Sequence, residues 1–132
     1  MNKLRSTTIE EYTSLDPVTV RADTKVEDVI ALLREHGFRH IPVVKNGRPI
    51  GIISDRDVLI ARPMGVTGVL LAHEVMTKDP YTVRLDSLLE DVALTLSERK
   101  FSSALVLSND GKLYGIFTAT DALNALIEIL RG

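Results

Sequence analysis

Hydrophobic residues recur along the chain in two rhythms. Val26, Val29, Ile30 and Leu33 fall at i, i+3, i+4 and i+7, a stripe of helical period, and Leu89, Val92, Ala93 and Leu96 repeat it. Between the stripes lie short apolar runs rich in β-branched residues. Residues 40–44 and 48–53 flank Asn46-Gly47, a pair that tolerates positive φ and marks a tight hairpin; 104–107 and 113–117 flank the longer turn Asn109-Asp110-Gly111. Residues 18–20 and 81–83 read as two further short strands. Thr24 with Glu27, and Ser87 with Glu90, have the spacing of a capping box and predict helix starts at Thr24 and Ser87. Gly37 predicts the stop of the first helix; its counterpart is Lys100, so the second is expected to end by other means.

The remaining pattern is less regular. Pro42 and Pro49 cannot donate to a ladder and are expected at edge or non-bonded strand positions. A short apolar helix at 58–61 ends at Pro63, and 63–68 reads as a connector. The last helix carries Leu123, Leu126, Ile127 and Leu130 on one stripe. It is also apolar at Ala122, Ala125 and Ile129, more than one core face needs. The surplus predicts packing between repeats, a dimer interface, or both. Residues 1–8 read as polar and loose, and 9–12 and 70–76 as matching lead-ins.

These elements occur twice. Asp16-Pro17-Val18-Thr19-Val20-Arg21-Ala22-Asp23 returns as Asp79-Pro80-Tyr81-Thr82-Val83-Arg84-Leu85-Asp86, and Phe38 returns as Phe101. Gly51-Ile52-Ile53-Ser54-Asp55-Arg56-Asp57 returns as Gly115-Ile116-Phe117-Thr118-Ala119-Thr120-Asp121, after one inserted residue in the second hairpin. The chain is thus two copies of one β-α-β-β-α unit, a mixed α/β fold. The first repeat is expected over 8–62, a connector over 63–72 and the second repeat over 73–131. A unit of roughly 60 residues is marginal alone, so the two are expected to pack as one module.

Composition narrows the function. With 132 residues, 45% hydrophobic, 26% charged and a net charge of −2, the chain has neither the composition of disorder nor the basic footprint of a nucleic-acid protein. There is no cysteine, no signal-peptide pattern at the amino terminus and no apolar run long enough to span a bilayer, so a cytoplasmic address is the simplest expectation. His36, His40 and His73 lack metal-ligand spacing, and no nucleophile elbow, phosphate loop or dinucleotide fingerprint occurs; the expectation is a protein that is not an enzyme and requires no cofactor.

The repeated Ser/Thr-x-x-Asp carries the candidate chemistry. A hydroxyl followed three residues later by an acid is a sound helix start on its own. The same residues also suit a polar ligand: a helix amino terminus attracts phosphate, and a carboxylate accepts hydrogen bonds. Arg39, His40 and Arg56 are bases able to neutralise phosphate, and the first repeat is richer in them than the second.

Two β-α-β-β-α copies, each with Gly-h-h-Ser/Thr-x-x-Asp, resemble a tandem pair of CBS domains, named after cystathionine β-synthase. Arg39-His40-Ile41-Pro42-Val43-Val44 fits the family's pattern closely. The second copy departs from it, with Ser102-Ser103 for Arg39-His40 and Leu105 for Pro42. The resemblance covers roughly residues 10–130 and implies a regulatory, energy-sensing module. Such a module binds AMP, ADP, ATP or S-adenosylmethionine in clefts between the repeats and signals to a partner enzyme or transporter by conformational change. It also implies a homodimer. Carried over residue by residue, it implies that Asp57 and Asp121 hold ribose, with Ser54 and Thr118 near phosphate. It lines the adenine slots with Thr19, Val20, Arg39, His40, Ile41 and Pro42 in the first copy. In the second they are Thr82, Val83, Ser102, Ser103, Ala104 and Leu105. The other reading of the residues is a dimerisation or docking module whose clefts stay empty.

Overall fold

The computed structural model describes residues 3–61 and 70–132; the expected connector at 63–68, with the Pro63 helix stop, lies outside the described residues. In chain order, single turns at Lys3–Ser6 and Glu10–Tyr12 lead to β1 (Ser14–Leu15) and β2 (Val20–Arg21). Then come α1 (Val26–His36), β3 (His40–Lys45), β4 (Arg48–Ser54) and α2 (Asp55–Ala61). The second half holds α3 (Ala72–Val75), β5 (Thr77–Lys78), β6 (Thr82–Arg84), α4 (Leu89–Arg99), β7 (Ser103–Leu107), β8 (Leu113–Thr118) and α5 (Ala119–Arg131). These form two compact units. One is Pro17–Pro80; the other joins the residues up to Asp16 to Tyr81–Gly132.

In the Pro17–Pro80 unit the strand order is β2-β3-β4-β5. β2 and β3 are parallel, with Val20 opposite Val43, and α1 supplies the crossover that a parallel pair needs. β3 and β4 are antiparallel around Asn46 and Gly47, whose φ of 53° and 79° suit a hairpin turn twisted with its strands. Val29 and Leu33 from α1, Ile41 and Val43 from β3, Ile53 from β4 and Val58 from α2 form the core. The other unit repeats this with the order β1-β8-β7-β6 and a core of Val92, Leu96, Ala104, Val106, Phe117 and Ala125 among others. The two stripes read from helical period are therefore the buried faces of α1 and α4.

Each unit is completed by the lead-in that precedes the other repeat. β1 pairs with β8, Leu15 opposite Gly115, and β5 pairs with β4, Lys78 opposite Gly51. Ile9 and Ala72, both wholly buried, add to the two cores. The lead-ins also satisfy backbone groups that a helix start leaves orphaned. Val26 N–H donates to the Leu70 carbonyl (2.9 Å) and Ala72 N–H to the Thr24 carbonyl (2.7 Å). In the other unit Leu89 N–H donates to Thr7 (2.8 Å) and Ile9 N–H to Ser87 (3.1 Å). Residues 3–8 are thus not loose as expected: Lys3–Ser6 is a helical turn and Thr8 bridges to Leu88.

Several local expectations are corrected. Thr24 and Ser87 do not cap α1 and α4, which start two residues later without a side-chain cap. Their hydroxyls accept from Arg21 N–H and Arg84 N–H, each at 3.0 Å, and close the turn before the helix. α4 ends by the same device as α1. Lys100 adopts φ 58° where Gly37 has 66°, and the next amide, Phe101 or Phe38, returns to the carbonyl of Leu96 or Leu33. A lysine is strained there, so Lys100→Gly is expected to stabilise the fold by about 1 kcal/mol, read as a higher urea midpoint. Pro42, by contrast, meets its expectation: it sits on an inner strand but at a non-bonded position, one residue before the ladder to β2 begins at Val43. Finally, α5 buries Ala125 with Ala122 and Ile129 packed around it, whereas the leucine stripe, Leu123, Leu126, Ile127 and Leu130, is exposed.

Candidate functional site

Each candidate site forms where an inner strand runs directly into a helix. In the Pro17–Pro80 unit β4 ends at Ser54 and α2 starts at Asp55. Ser54 N–H donates to Asp57 Oδ2 at 2.8 Å, and Asp57 N–H donates to Ser54 Oγ at 3.1 Å. In the other unit Thr118 N–H donates to Asp121 Oδ2 at 2.8 Å and Asp121 N–H to Thr118 Oγ1 at 3.2 Å. Both motifs are therefore reciprocal capping boxes. The caps use one carboxylate oxygen and one lone pair of the hydroxyl. Among the described residues no further bond engages Asp57 Oδ1 or Asp121 Oδ1. Each hydroxyl also keeps its hydrogen to donate. A half-buried site thus presents an anionic acceptor beside a neutral donor, held in place by the helix start.

The neighbouring strand is tied to the same corner. Asp55 N–H donates to the Arg39 carbonyl (2.9 Å), and His40 lies opposite Ser54 in the β3–β4 register. In the equivalent corner Ala119 N–H donates to the Ser102 carbonyl (2.9 Å) and Ser103 lies opposite Thr118. The fold therefore brings Arg39, His40, Ser54, Arg56 and Asp57 together in one unit, and Ser102, Ser103, Thr118 and Asp121 in the other. Arg39 and Arg56 are exposed and His40 is half-buried. Burial pushes the His40 imidazole below its ordinary pKa, against the pull of Asp55 and Asp57 and with the push of Arg39. Asp55, which sequence reasoning did not single out, is thus part of this electrostatic group.

The other named residues take different places. Val20, Ile41 and Ala104 are core side chains, and Pro42 is fully buried, so toward the site they offer backbone and shape. Thr19 and Val83 are half-buried, and Thr82, opposite Leu105, is exposed. Pro42 has one consequence that its sequence counterpart lacks. Leu105 N–H donates to the Tyr81 carbonyl at 2.9 Å, a bond that Pro42 cannot make to the corresponding Val18, and β2 is one residue shorter than β6. Among the described residues there is no cluster of three metal-ligating side chains, and no helix is long and apolar enough to cross a membrane.

Comparison with known proteins bears on both corners. The CBS domain family model matches residues 9–63 and 72–128. The inosine-5′-monophosphate dehydrogenase of Korarchaeum cryptofilum is 34% identical over 112 residues, covering 85% of this chain and 23% of that protein. An uncharacterised protein of Methanocaldococcus jannaschii is 34% identical over 125 residues, covering 93% of this chain and 45% of its own. This chain therefore spans less than half of these curated relatives. Among solved structures, the CBS-pair protein CBSX2 from Arabidopsis thaliana superposes with a TM-score of 0.86 at 29% identity, over 96% of this chain and 99% of that one. CBSX2 has also been solved in complex with AMP, with a TM-score of 0.83 at 29% identity over 93% and 98% of the two chains.

Proposed function

Because the chain belongs to the CBS domain family, we propose that it is a regulatory module that binds an adenosine-containing ligand at the Ser54–Asp57 and Thr118–Asp121 corners. AMP is the first ligand to test, with ADP, ATP and S-adenosylmethionine as the other members of the class. The observation that carries the reading is the half-used capping box. Among the described residues, each unit leaves a carboxylate oxygen and a hydroxyl donor available at a helix start, groups that fit ribose hydroxyls and phosphate. The AMP complex of the similar CBSX2 supports the ligand class. Arg39 and Arg56, beside a His40 able to take up a proton, give the Pro17–Pro80 unit the corner richer in bases, so that corner is assigned the more phosphorylated ligand. Ligand binding acts by favouring one arrangement of the module, which a partner enzyme or transporter reads. The exposed leucine stripe of α5 supports a homodimer.

One observation favours a second reading, a dimerisation or docking module with empty clefts: both aspartates already serve as caps, which accounts for them without a ligand. A thermal-shift panel of adenosine ligands, with guanine nucleotides as controls, separates the two. A ligand at a hundredfold excess over its Kd stabilises the folded state by about 2.7 kcal/mol, which raises Tm by several degrees in a chain of this size. A flat panel on folded protein would favour the docking module, and equal AMP and ATP affinity at the first corner would overturn its phosphate assignment.

A further inference from the structure

We infer that His40 makes ligand binding in the Pro17–Pro80 unit proton-linked, so that an anionic ligand is held more tightly as pH falls, while the equivalent corner of the other unit carries no such linkage. The inference rests on the ligand-binding reading above. His40 stands at the start of β3 opposite Ser54, half-buried, one residue from Arg39 whose carbonyl takes the Asp55 amide. Among the described residues, the charged groups that act on it are Asp55 and Asp57 from α2 and Arg39 from the bend just before β3. At the same register position in the other unit stands Ser103, opposite Thr118, with Ala119 in place of Asp55 and Ser102 in place of Arg39. One of two otherwise matching corners thus holds an imidazole in a group of fixed charges, and the other holds a hydroxyl that does not titrate near neutrality.

The direction follows from the surroundings. Burial lowers the His40 pKa, so the imidazole of the free protein is neutral near pH 7. A phosphate brought to Ser54 adds negative charge beside it and favours the imidazolium. The bound state then holds more protons than the free state, and affinity rises as pH falls between the bound and the free pKa. Among the described residues, the corner at Ser103 holds no imidazole to supply this linkage.

The test is calorimetry of AMP binding to the wild-type protein and to His40→Gln between about pH 5.5 and 8, in buffers of different ionisation heat, with adenosine as the uncharged control. AMP's own phosphate titrates in the same window, so the difference between the two proteins is the quantity read. Wild type is expected to take up a larger fraction of a proton. Its affinity relative to His40→Gln should rise roughly tenfold toward low pH, as for a pKa raised about one unit by the ligand. Adenosine should show no such dependence. Nuclear magnetic resonance of the His40 ring in the wild-type protein needs no variant, and its titration should move to higher pH with AMP. AMP binding with equal proton uptake in both proteins, or an unmoved His40 titration, would overturn the linkage alone. Absence of AMP and adenosine binding at every pH would overturn the ligand-binding reading and the linkage with it.

Discussion

Asp57→Ala is expected to weaken AMP binding in the Pro17–Pro80 unit by about a hundredfold or more, while lowering fold stability by only about 1 kcal/mol. The two effects have different sources. The stability term is the lost acceptor for Ser54 N–H, one hydrogen bond at an otherwise intact helix start. The binding term is the lost carboxylate that would take two ribose hydroxyls, each a charge-assisted bond worth about 1.5–3 kcal/mol. Asp57→Asn distinguishes them, because an amide oxygen can still accept from Ser54 N–H but carries no charge. It should regain most of the stability and little of the affinity. Titration calorimetry and urea denaturation on both variants read the two quantities separately. If Asp57→Ala loses stability and binds AMP like wild type, the aspartate is a cap and nothing more.

Gly115→Val should destabilise the fold by about 3 kcal/mol, and Gly51→Val by less, although the two glycines are the same position of the repeat. A Cβ at Gly115 would lie 2.6 Å from the Ser14 carbonyl oxygen and 2.6 Å from Thr13 Cγ2, so the backbone of β1 itself stands in the way. At Gly51 the nearest obstacle is the flexible side chain of Met76, with the Thr77 carbonyl at 2.9 Å. The Met76 side chain can turn aside, and the β5 carbonyl of Thr77, at 2.9 Å, asks for a smaller shift of a paired strand than the β1 carbonyl of Ser14, at 2.6 Å. Urea denaturation of the two variants should therefore rank them, with Gly115→Val the weaker protein. Equal losses would mean that β5 at Thr77 obstructs a side chain as much as β1 at Ser14 does.

These glycines show what was readable in advance and what was not. Their recurrence, the helical stripes around Val29 and Val92, and the Asn46-Gly47 turn are local and periodic signals, and the structure follows them. The partners of the glycines were not readable. β1 and β5 are two residues long and carry no alternation; β1 pairs with β8 at the other end of the chain, and β5 pairs back to β4 across α2 and α3. The capping boxes at Thr24 and Ser87 misled for a geometric reason: each hydroxyl has a backbone amide three residues on either side of it, and spacing does not say which one it takes. Here it takes the earlier. On α5 hydropathy marks two apolar faces without ranking them. The small residues Ala122 and Ala125 let the helix approach its sheet closely, so the bulkier leucine stripe is the one left outside. At the corners the motif was legible, but the link between His40 and Asp55 depends on strand register and was not.

The exchange of lead-ins has a consequence for how such a chain can arise and be divided. The stretch that is duplicated in the sequence differs from the stretch that folds, because each copy carries at its front an edge strand and a core residue that serve the other copy. A gene for one copy would encode a half-finished sheet together with the piece that finishes someone else's. Two such products could complete each other only by trading their leading segments, so self-association would be built into the ancestor rather than added to it. For the same reason, protein dissection that follows the sequence repeat would separate each sheet from its own edge, whereas a circular permutant opened near residues 16–17 or 80–81 would cut at the seams of the fold.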